Sequence, residues 1–401
     1  MKLAEDLRRA VLQAAIEGKL TGEGREGWRF VRLGDIITKD IGGGTPDKSI
    51  AEYWNGNIPW MSVKDFSLAK DGFIENTIDH ITEKGLENSA TNLIMPGAII
   101  ICMRMGLGKY ARLRKPTAIN QDLRAIWLSE DVLADYFLYF YSTLKIEGTG
   151  TTVKGIKRNE LLSYIVPMPP IEEQRRIVSR LDAILPKIAE LESAENQLEA
   201  LERKFPNDMR DALLQAAIEG KLTGGNTDNW QFVRLGDISS YGEHVVKVSA
   251  ENIPATSWIL DLEDIEKGGR ILTQRIAQEI KSIGDKAIFH QGDILFSKLR
   301  PYLQKILIAP SDGFCTPELI PFHCYGEIEP EYMLYFLKAP SVDHEINSKS
   351  YGVKMPRVGT NTMINLLVPL PPRDEQHKII SLLNELLPLC EALEKITQGG
   401  L

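Results

Sequence analysis

The sequence predicts an α+β chain: two globular mixed α/β domains separated by two antiparallel long-helix connectors, in a pseudo-two-fold, circular arrangement. Three observations predict this. The eleven residues LQAAIEGKLTG at 12–22 recur letter for letter at 214–224, 202 positions on. WRFVRLGDI at 28–36 returns as WQFVRLGDI at 230–238, and IVPMPPIEEQRRIVSRLDAILP at 165–186 returns as LVPLPPRDEQHKIISLLNELLP at 367–388, both at the same offset. Between these matched frames lie two inserts, 37–164 and 239–366, with little mutual similarity. A period this long is no solenoid repeat. It suits 401 residues built as two large units.

The elements follow in chain order. Residues 1–22 read as a helix, LAEDLRRAVLQAAIEG, and 23–170 as the first domain, starting on a strand at WRFVRLGDI. PGAIIICMRMG, HQGDILFSKLRPY and KILIAPS read as short strands bounded by Gly or Pro. LADYFLYFYSTL and EPEYMLYFLKAP read as short helices whose aromatic stripes pack into the core. Residues 171–222 form the central connector. There Ile177, Leu181, Ile184, Ile188, Leu191, Leu198, Leu201 and Phe205 keep mostly 3–4 spacing, the mark of a one-sided helix with a seam for a partner helix. PPIEEQ opens it, with prolines before or in the first turn and acids at the positive helix end. Pro186 predicts a kink or break. Pro206 and Asn207 predict a joint to a second helix, 206–222, with Gly220 as its C-cap. Residues 223–372 form the second domain and 373–401 a C-terminal helix. The two terminal helices complement each other, so the distal connector is expected to be assembled from both.

Composition bounds the class. Hydrophobic residues at 43% and charged residues at 25% are the proportions of a soluble globular protein. The longest apolar run, LIMPGAIIICM at 93–103, is too short for a bilayer and is interrupted by Pro96 and Gly97. The N-terminus lacks a secretory core. Cys102, Cys315, Cys324 and Cys390 are scattered, which reads as reduced thiols in a cytoplasm.

Catalytic signatures are missing from the sequence. There is no G-x-x-x-x-G-K-[ST] loop, and GGGTPDKS at 42–49 lacks that spacing. The string nearest to a methyltransferase tetrad, NIPW at 57–60, has Ile where the first Pro belongs. The two EGK strings, Glu17–Lys19 and Glu219–Lys221, sit at helix ends and read as caps. The six histidines have no metal-ligand spacing. Two different inserts without chemistry suit recognition better than catalysis.

These residues resemble a known family. The repeated PLPPxxEQxxI start of a long helix, the repeated LQAAIEGKLTG and the WxFVRLGDI strand are similar to the DNA-specificity (S) subunit of type I restriction–modification systems. GGGTPDKSIAEYWNGNIPWMSVKD at 42–65 with GKYARLRKPTAINQDLRAI at 108–126 resembles one class of target recognition domain, and GDILFSKLRPYLQKILIA at 292–309 another. The resemblance implies two target recognition domains, each reading one half of a split site in double-stranded DNA. It implies frame helices that set the spacing and dock two methyltransferase (M) subunits, beside restriction (R) subunits. Leu12, Ile16, Ile177, Leu181, Ile184, Ile188, Leu191, Leu214, Ile218, Ile379 and Leu383 lie along those helices. It implies a cytoplasmic, non-catalytic chain with no membrane, metal or cofactor of its own. S-adenosylmethionine, ATP and magnesium are then expected on the partner subunits. Two other readings stay open: a fused enzyme with a diverged site, and a specificity-type scaffold without its own DNA target.

A formal charge of −8 counts against DNA binding, but its distribution matters more than its sum. Residues 100–128 carry six bases against one acid, and 149–158, 298–305 and 349–361 carry bases and no acid. Base reading needs forked or amide side chains. Arg104, Arg112, Asn120 and Gln121 are the candidates in the first insert, and Arg300, Gln304, Arg357 and Asn361 in the second. Lys48, Lys64, Lys109, Arg114, Lys154, Lys157, Arg158, Lys298, Lys305 and Lys354 are expected at phosphates. Thr45, Tyr302 and Tyr351 are expected near DNA, whereas Trp60 reads as core.

Overall fold

The computed structural model describes residues 2–22, 24–70, 72–149, 154–224 and 227–399. Residues 150–153 of the basic stretch 149–158 lie outside that set. The chain divides into two units, Met1–Gln197 and Leu198–Leu401.

The first unit runs α1 (Leu3–Ile16), β1 (Arg29–Arg32), β2 (Ile37–Gly42), β3 (Trp54–Met61), β4 (Phe73–Ile74), β5 (Asp79–Ile81), α2 (Glu83–Glu87), β6 (Asn92–Ile94), β7 (Ile99–Cys102), β8 (Tyr110–Leu113), β9 (Thr117–Ile119), β10 (Leu123–Leu128), α3 (Ala134–Thr143), α4 (Arg158–Leu162) and β11 (Ile165–Met168). Then comes α5 (Ile171–Ile218), which crosses into the second unit. The second unit continues with β12 (Gln231–Arg234), β13 (Lys247–Val248), β14 (Trp258–Leu260), β15 (Arg275–Ile276), β16 (Lys286–Phe289), β17 (Ile294–Ser297), β18 (Ile306–Ile308), β19 (Gly313–Cys315), β20 (Leu319–Phe322), α6 (Pro330–Lys338), α7 (Pro340–Ser348), α8 (Thr360–Ile364), β21 (Leu367–Leu370) and α9 (Arg373–Gly399).

The first unit holds sheets ordered β2-β10-β7-β8-β4, β5-β3-β9-β6 and β1-β11; the second holds β13-β16-β19-β14-β15, β18-β17-β20 and β12-β21. The α+β class predicted from the sequence is the one found. The predicted strands appear as β7, β17 and β18, and the aromatic helices as α3 and α6. Tyr136, Phe137, Phe140, Tyr141, Tyr332 and Phe336 are buried, as core residues should be.

One expectation about the connector is corrected, the joint at Pro206 and Asn207. α5 is one helix of 48 residues, with no break at Pro186 and no joint at Pro206 and Asn207. α9 likewise runs through Pro388, the counterpart of Pro186. Proline frees the carbonyl four residues back. For Pro186 and Pro388 those residues are Asp182 and Asn384, and all four are exposed, so water takes the freed carbonyl. The flanking residues are mostly strong helix formers, and propensity carries the helix on. Gly220 does end it as expected. It lies at φ +71, as Gly18 does at φ +70 after α1, a left-handed position that glycine occupies without strain. The two EGK strings are caps: Glu17 pairs with Lys19 at 2.5 Å and Glu219 with Lys221 at 2.5 Å.

The repeated motifs are partners of each other. The Thr21 hydroxyl of the first KLTG donates to Glu173 of PPIEEQ, and Thr223 of the second KLTG donates to Glu375. Gln174 is fully buried and makes three bonds. Its Oε1 accepts from the Leu133 amide at 2.8 Å, and its Nε2 donates to the carbonyls of Asp131 at 2.8 Å and Pro169 at 3.0 Å. Gln376 repeats the set with Glu329, Glu327 and Pro371. Tyr136 donates to the Pro167 carbonyl at 2.6 Å and Tyr332 to the Pro369 carbonyl at 2.7 Å. Each frame thus fastens its own insert to the start of a long helix through buried side chains, Gln174 and Tyr136 in one and Gln376 and Tyr332 in the other, that are hydrogen-bonded to the insert and to the helix entry.

The helix residues expected along a partner seam largely face inward. Leu12, Ile177 and Leu181 share a core with Ala15 and Tyr136. Leu214, Ile379 and Leu383 belong to the core of the second unit. Ile188 is also buried. Ile218 packs half-buried against the second of these cores and Ile16 against a neighbouring core of the first unit with Leu33 and Phe137, and Ile184 and Leu191 are half-buried. Leu198, Leu201 and Phe205 are the exposed ones, at 56%, 65% and 56%.

Candidate nucleic-acid interface

The two inserts differ in sequence yet repeat one set of backbone bonds. β3 lies parallel to β9 and β14 parallel to β19. β7 and β8 form a hairpin, as do β17 and β18. The Met103 amide donates to the Asp122 carbonyl at 2.8 Å, and Lys298 to Glu318 at 3.0 Å. Ile156 donates to Met103 at 3.0 Å, and Val358 to Lys298 at 3.0 Å. Met105 donates to Lys154 at 3.1 Å, and Arg300 to Pro356 at 2.7 Å. A return segment is pinned in both: Thr149 bridges Gly155, and Tyr351 bridges Arg357. Its positions obey the offset of 202 that marks the frames. The sequence signal for it is the pair Thr149-Gly150 and Tyr351-Gly352, inside segments that otherwise read as unrelated.

Three pieces therefore converge in each unit. They are the β7–β8 loop, the return segment and the β9–β10 turn at Asn120–Asp122, with β17–β18, 351–357 and 316–318 as counterparts. The predicted basic stretches are the ones that meet. Among the described residues, four non-glycines take positive φ: Asn55, Met105, Arg300 and Gln304. The last three lie in the two hairpin loops. Held strain of this kind concentrates at working sites.

In the first unit the convergence borders a cleft of about 510 Å³. Thr45, Lys48, Lys64, Asn120 and Gln121, all singled out from sequence, line it, with Met105 and Asp122. Thr45 donates to Gln121. Asn120 is buried, and its Oδ1 accepts from the Asp122 amide at 3.0 Å. Trp60 is buried, as expected, and donates to the Gly44 carbonyl at 3.1 Å. The glycines of GGGTP serve close packing, since a Cβ on Gly43 or Gly44 would overlap the backbone of Asn120 or Ala90. Asp65 is fully buried and accepts from the Ser62 amide at 2.7 Å and the Ile78 amide at 2.7 Å, which fixes the turn that carries exposed Lys64. Lys109, Lys154 and Lys157 are exposed around the loops. Arg104 stands half-exposed with its Nε 3.4 Å from Asp122.

Three arginines lie apart from this cleft. Arg112 and Arg114 stack over Phe73 at 4.4 and 3.9 Å, and Arg112 also pairs with Asp135 at 2.9 Å. Arg158 holds Asp40 through Nε at 2.6 Å and Nη2 at 3.1 Å, and Arg124 adds a bond at 2.7 Å. Hydrogen bonds from Arg158 and then Arg124 pull the Asp40 carboxyl down to about 2. A depressed carboxyl stabilises the fold above its unfolded value of about 3.9, and that contribution is lost as pH falls through the folded value. Asp40→Asn is expected to cost about 1–3 kcal/mol at pH 7. Its deficit against the wild type should shrink as pH falls from about 4 toward the folded value. Urea unfolding across that range checks this, and a deficit that ignores pH would refute it.

In the second unit Lys298 lines a cleft of about 330 Å³ with His244, Lys247 and Thr360. His244 and Lys247 escaped the sequence reading because neither sits in a basic run. Arg300 and Tyr302 are exposed on the hairpin loop, and Gln304 is half-buried. Lys305 is half-buried and donates to the Leu262 carbonyl at 2.6 Å. Tyr351 and Lys354 stand exposed on the return segment, with Val353 and Met355 beside them. Asn361 is exposed on α8, accepting from Asn365. Arg357 makes a two-pronged pair with Glu318, at 2.8 Å from Nη2 and 3.3 Å from Nε.

No cluster of three or more His, Cys, Asp or Glu suited to a metal occurs among the described residues. No helix among them is long and apolar enough to cross a membrane. Burial pushes the Cys315 and Cys324 thiols up to about 12, so neither is a thiolate at neutral pH.

Comparison with known proteins adds four findings. The family model described as "Type I restriction modification DNA specificity domain" matches residues 25–202 and again 227–398. The specificity subunit of the type I restriction enzyme EcoR124I/EcoR124II of Escherichia coli is 36% identical over 171 residues, which span 40% of this chain and 41% of that one. The MjaIX specificity subunit of Methanocaldococcus jannaschii is 25% identical over 387 residues, 90% of this chain and 86% of that one. Among solved structures, a chain from a study of assembly and conformational transition of the type I R-M system matches with a TM-score of 0.50 at 18% identity, covering 93% of each chain. That last likeness speaks for the fold.

Proposed function

The chain belongs to the type I restriction–modification DNA specificity family, and from that membership we propose that its two inserts each read one half of a split site in double-stranded DNA. The observation that carries this reading is the repeated architecture with changed side chains. One set of backbone bonds positions three loops in each unit, while most residues on those loops differ between units. That is what two half-sites of different sequence require. Forked and amide side chains at the loops supply base contacts, and the lysines around them supply phosphate contacts.

The reading extends to partners. The chain performs no chemistry itself; it docks two methyltransferase subunits, joined by restriction subunits, and those carry S-adenosylmethionine, ATP and magnesium, all in the cytoplasm. Docking does not use Leu12, Ile177, Leu181, Leu214, Ile379 or Leu383, which the chain's own core occupies. The exposed faces of the frame helices, including Leu198, Leu201 and Phe205, are what remains for it. In this reading 23–170 and 223–372 are the two target recognition domains, with 1–22, 171–222 and 373–401 as their frame.

Methylome sequencing tests this. A methylation-free host expresses the methyltransferase of the same locus with and without this chain. A split adenine-methylation motif that appears only with the chain is the expected result. Two soluble, associated proteins that leave no new mark would favour the scaffold without a DNA target.

A further inference from the structure

The β9–β10 turn and its counterpart each end in an acid, Asp122 in the first unit and Glu318 in the second. They are equivalent positions, because each backbone carbonyl accepts from the same place on the neighbouring hairpin, the amide of Met103 or of Lys298. Each acid holds one arginine, yet the arginine comes from a different segment. Arg104 reaches Asp122 from the hairpin loop as an ion pair, its Nε 3.4 Å from a buried Oδ1 that has no hydrogen-bond partner. Arg357 reaches Glu318 from the return segment, through Nε and Nη2. Two unrelated sequences have thus arrived at one arrangement by separate routes.

We propose that Arg104 and Arg357 are the guanine readers of the two half-sites, each aimed by the carboxylate beneath it. This rests on the function proposed above. A guanidinium has five N–H donors in a rigid fork. A carboxylate on the Nε–Nη2 edge still leaves one N–H on each terminal nitrogen, and that outward pair matches O6 and N7 of guanine in the major groove. The Arg104 side chain is 50% exposed and that of Arg357 37%, so each fork has an open side. The acids are more enclosed, at 12% and 27%. Tethering also removes rotamer freedom before binding, which otherwise opposes an arginine contact. The other arginines lack this combination. Arg112 is stacked on Phe73 and paired with Asp135, and Arg158 shares Asp40 with Arg124 away from the loops. Asp122 and Glu318 are positioning residues.

The test is selection from a randomised double-stranded DNA library by the full chain with its methyltransferase. The wild type is expected to select a G·C pair in each half. Arg104→Lys keeps the charge and loses the fork. It should relax one G·C position in one half by about 5- to 150-fold, the equivalent of 1–3 kcal/mol, and leave the other half unchanged. Arg357→Lys should do the reverse. Salt dependence should stay the same for both, since no charge is removed. Asp122→Asn and Glu318→Gln, which keep the arginines and the side-chain volumes, should weaken discrimination at those same positions and carry the test if an arginine variant fails to fold. A half-site with no G·C pair, or uniform weakening with an unchanged motif, overturns the assignment. A wild type that selects no split motif at all overturns the function reading, and this assignment with it.

Discussion

Gln174→Leu is expected to destabilise the first unit by about 3–9 kcal/mol, from about 1–3 kcal/mol for each of the three polar groups left without a partner. Leucine has a similar volume, so cavity formation contributes little. The Leu133 amide and the carbonyls of Asp131 and Pro169 all lose their partner at once. Those groups lie where the insert meets the start of α5, so the loss also frees the insert from its frame. A domain's whole stability is only about 5–15 kcal/mol, and the unit should approach unfolding. Gln376→Leu should do the same to the second unit through Glu329, Glu327 and Pro371. Urea unfolding followed by circular dichroism measures both. A loss under about 1 kcal/mol would mean that water replaces the amide at that site.

Inserting four helix-forming residues after Gln197 is expected to lengthen the spacer between half-sites by about two base pairs. Methylation of the original spacing should fall at least about tenfold. Four residues add about 6 Å to a helix, and B-DNA advances about 3.4 Å per pair. The prediction depends on α5 being one uninterrupted helix across that point. The insertion site matters as well. Glu195 accepts from the amides of Leu3 and Ala4 at 3.0 and 3.3 Å and so caps α1; an insertion before it would disturb that cap. Methylome sequencing reads the outcome. Both half-sites should keep their bases, and a changed half-site would refute the ruler.

Much of this was legible in the residues. The 202-residue offset locates the frames, and the 3–4 apolar spacing locates α5 and α9. Gly18 and Gly220 mark the helix ends, because only glycine takes that backbone conformation freely. Five residues of the first cleft were found through side-chain chemistry and local charge. Pro206 misled, because α5 runs on through it and a proline's local cost is smaller than the gain from continuing a long helix. The partner seam misled in a different way. Apolar spacing says that a face is buried and not by what, and α1 and the inserts themselves cover most of it.

The repeat, the two-unit α+β plan, the helix faces and the residue types available for DNA can all be read from the order of the residues. Those depend on local propensity and on patterns that any position carries with it. Only the tertiary structure decided that the two inserts share one architecture, that Thr21 answers Glu173, and that an acid at one turn holds an arginine from either of two segments. Each of these is a pairing between residues far apart in the chain. A strand pairs through backbone groups that every residue has, so unlike sequences can make the same bonds, and only folding shows which side chains they bring together.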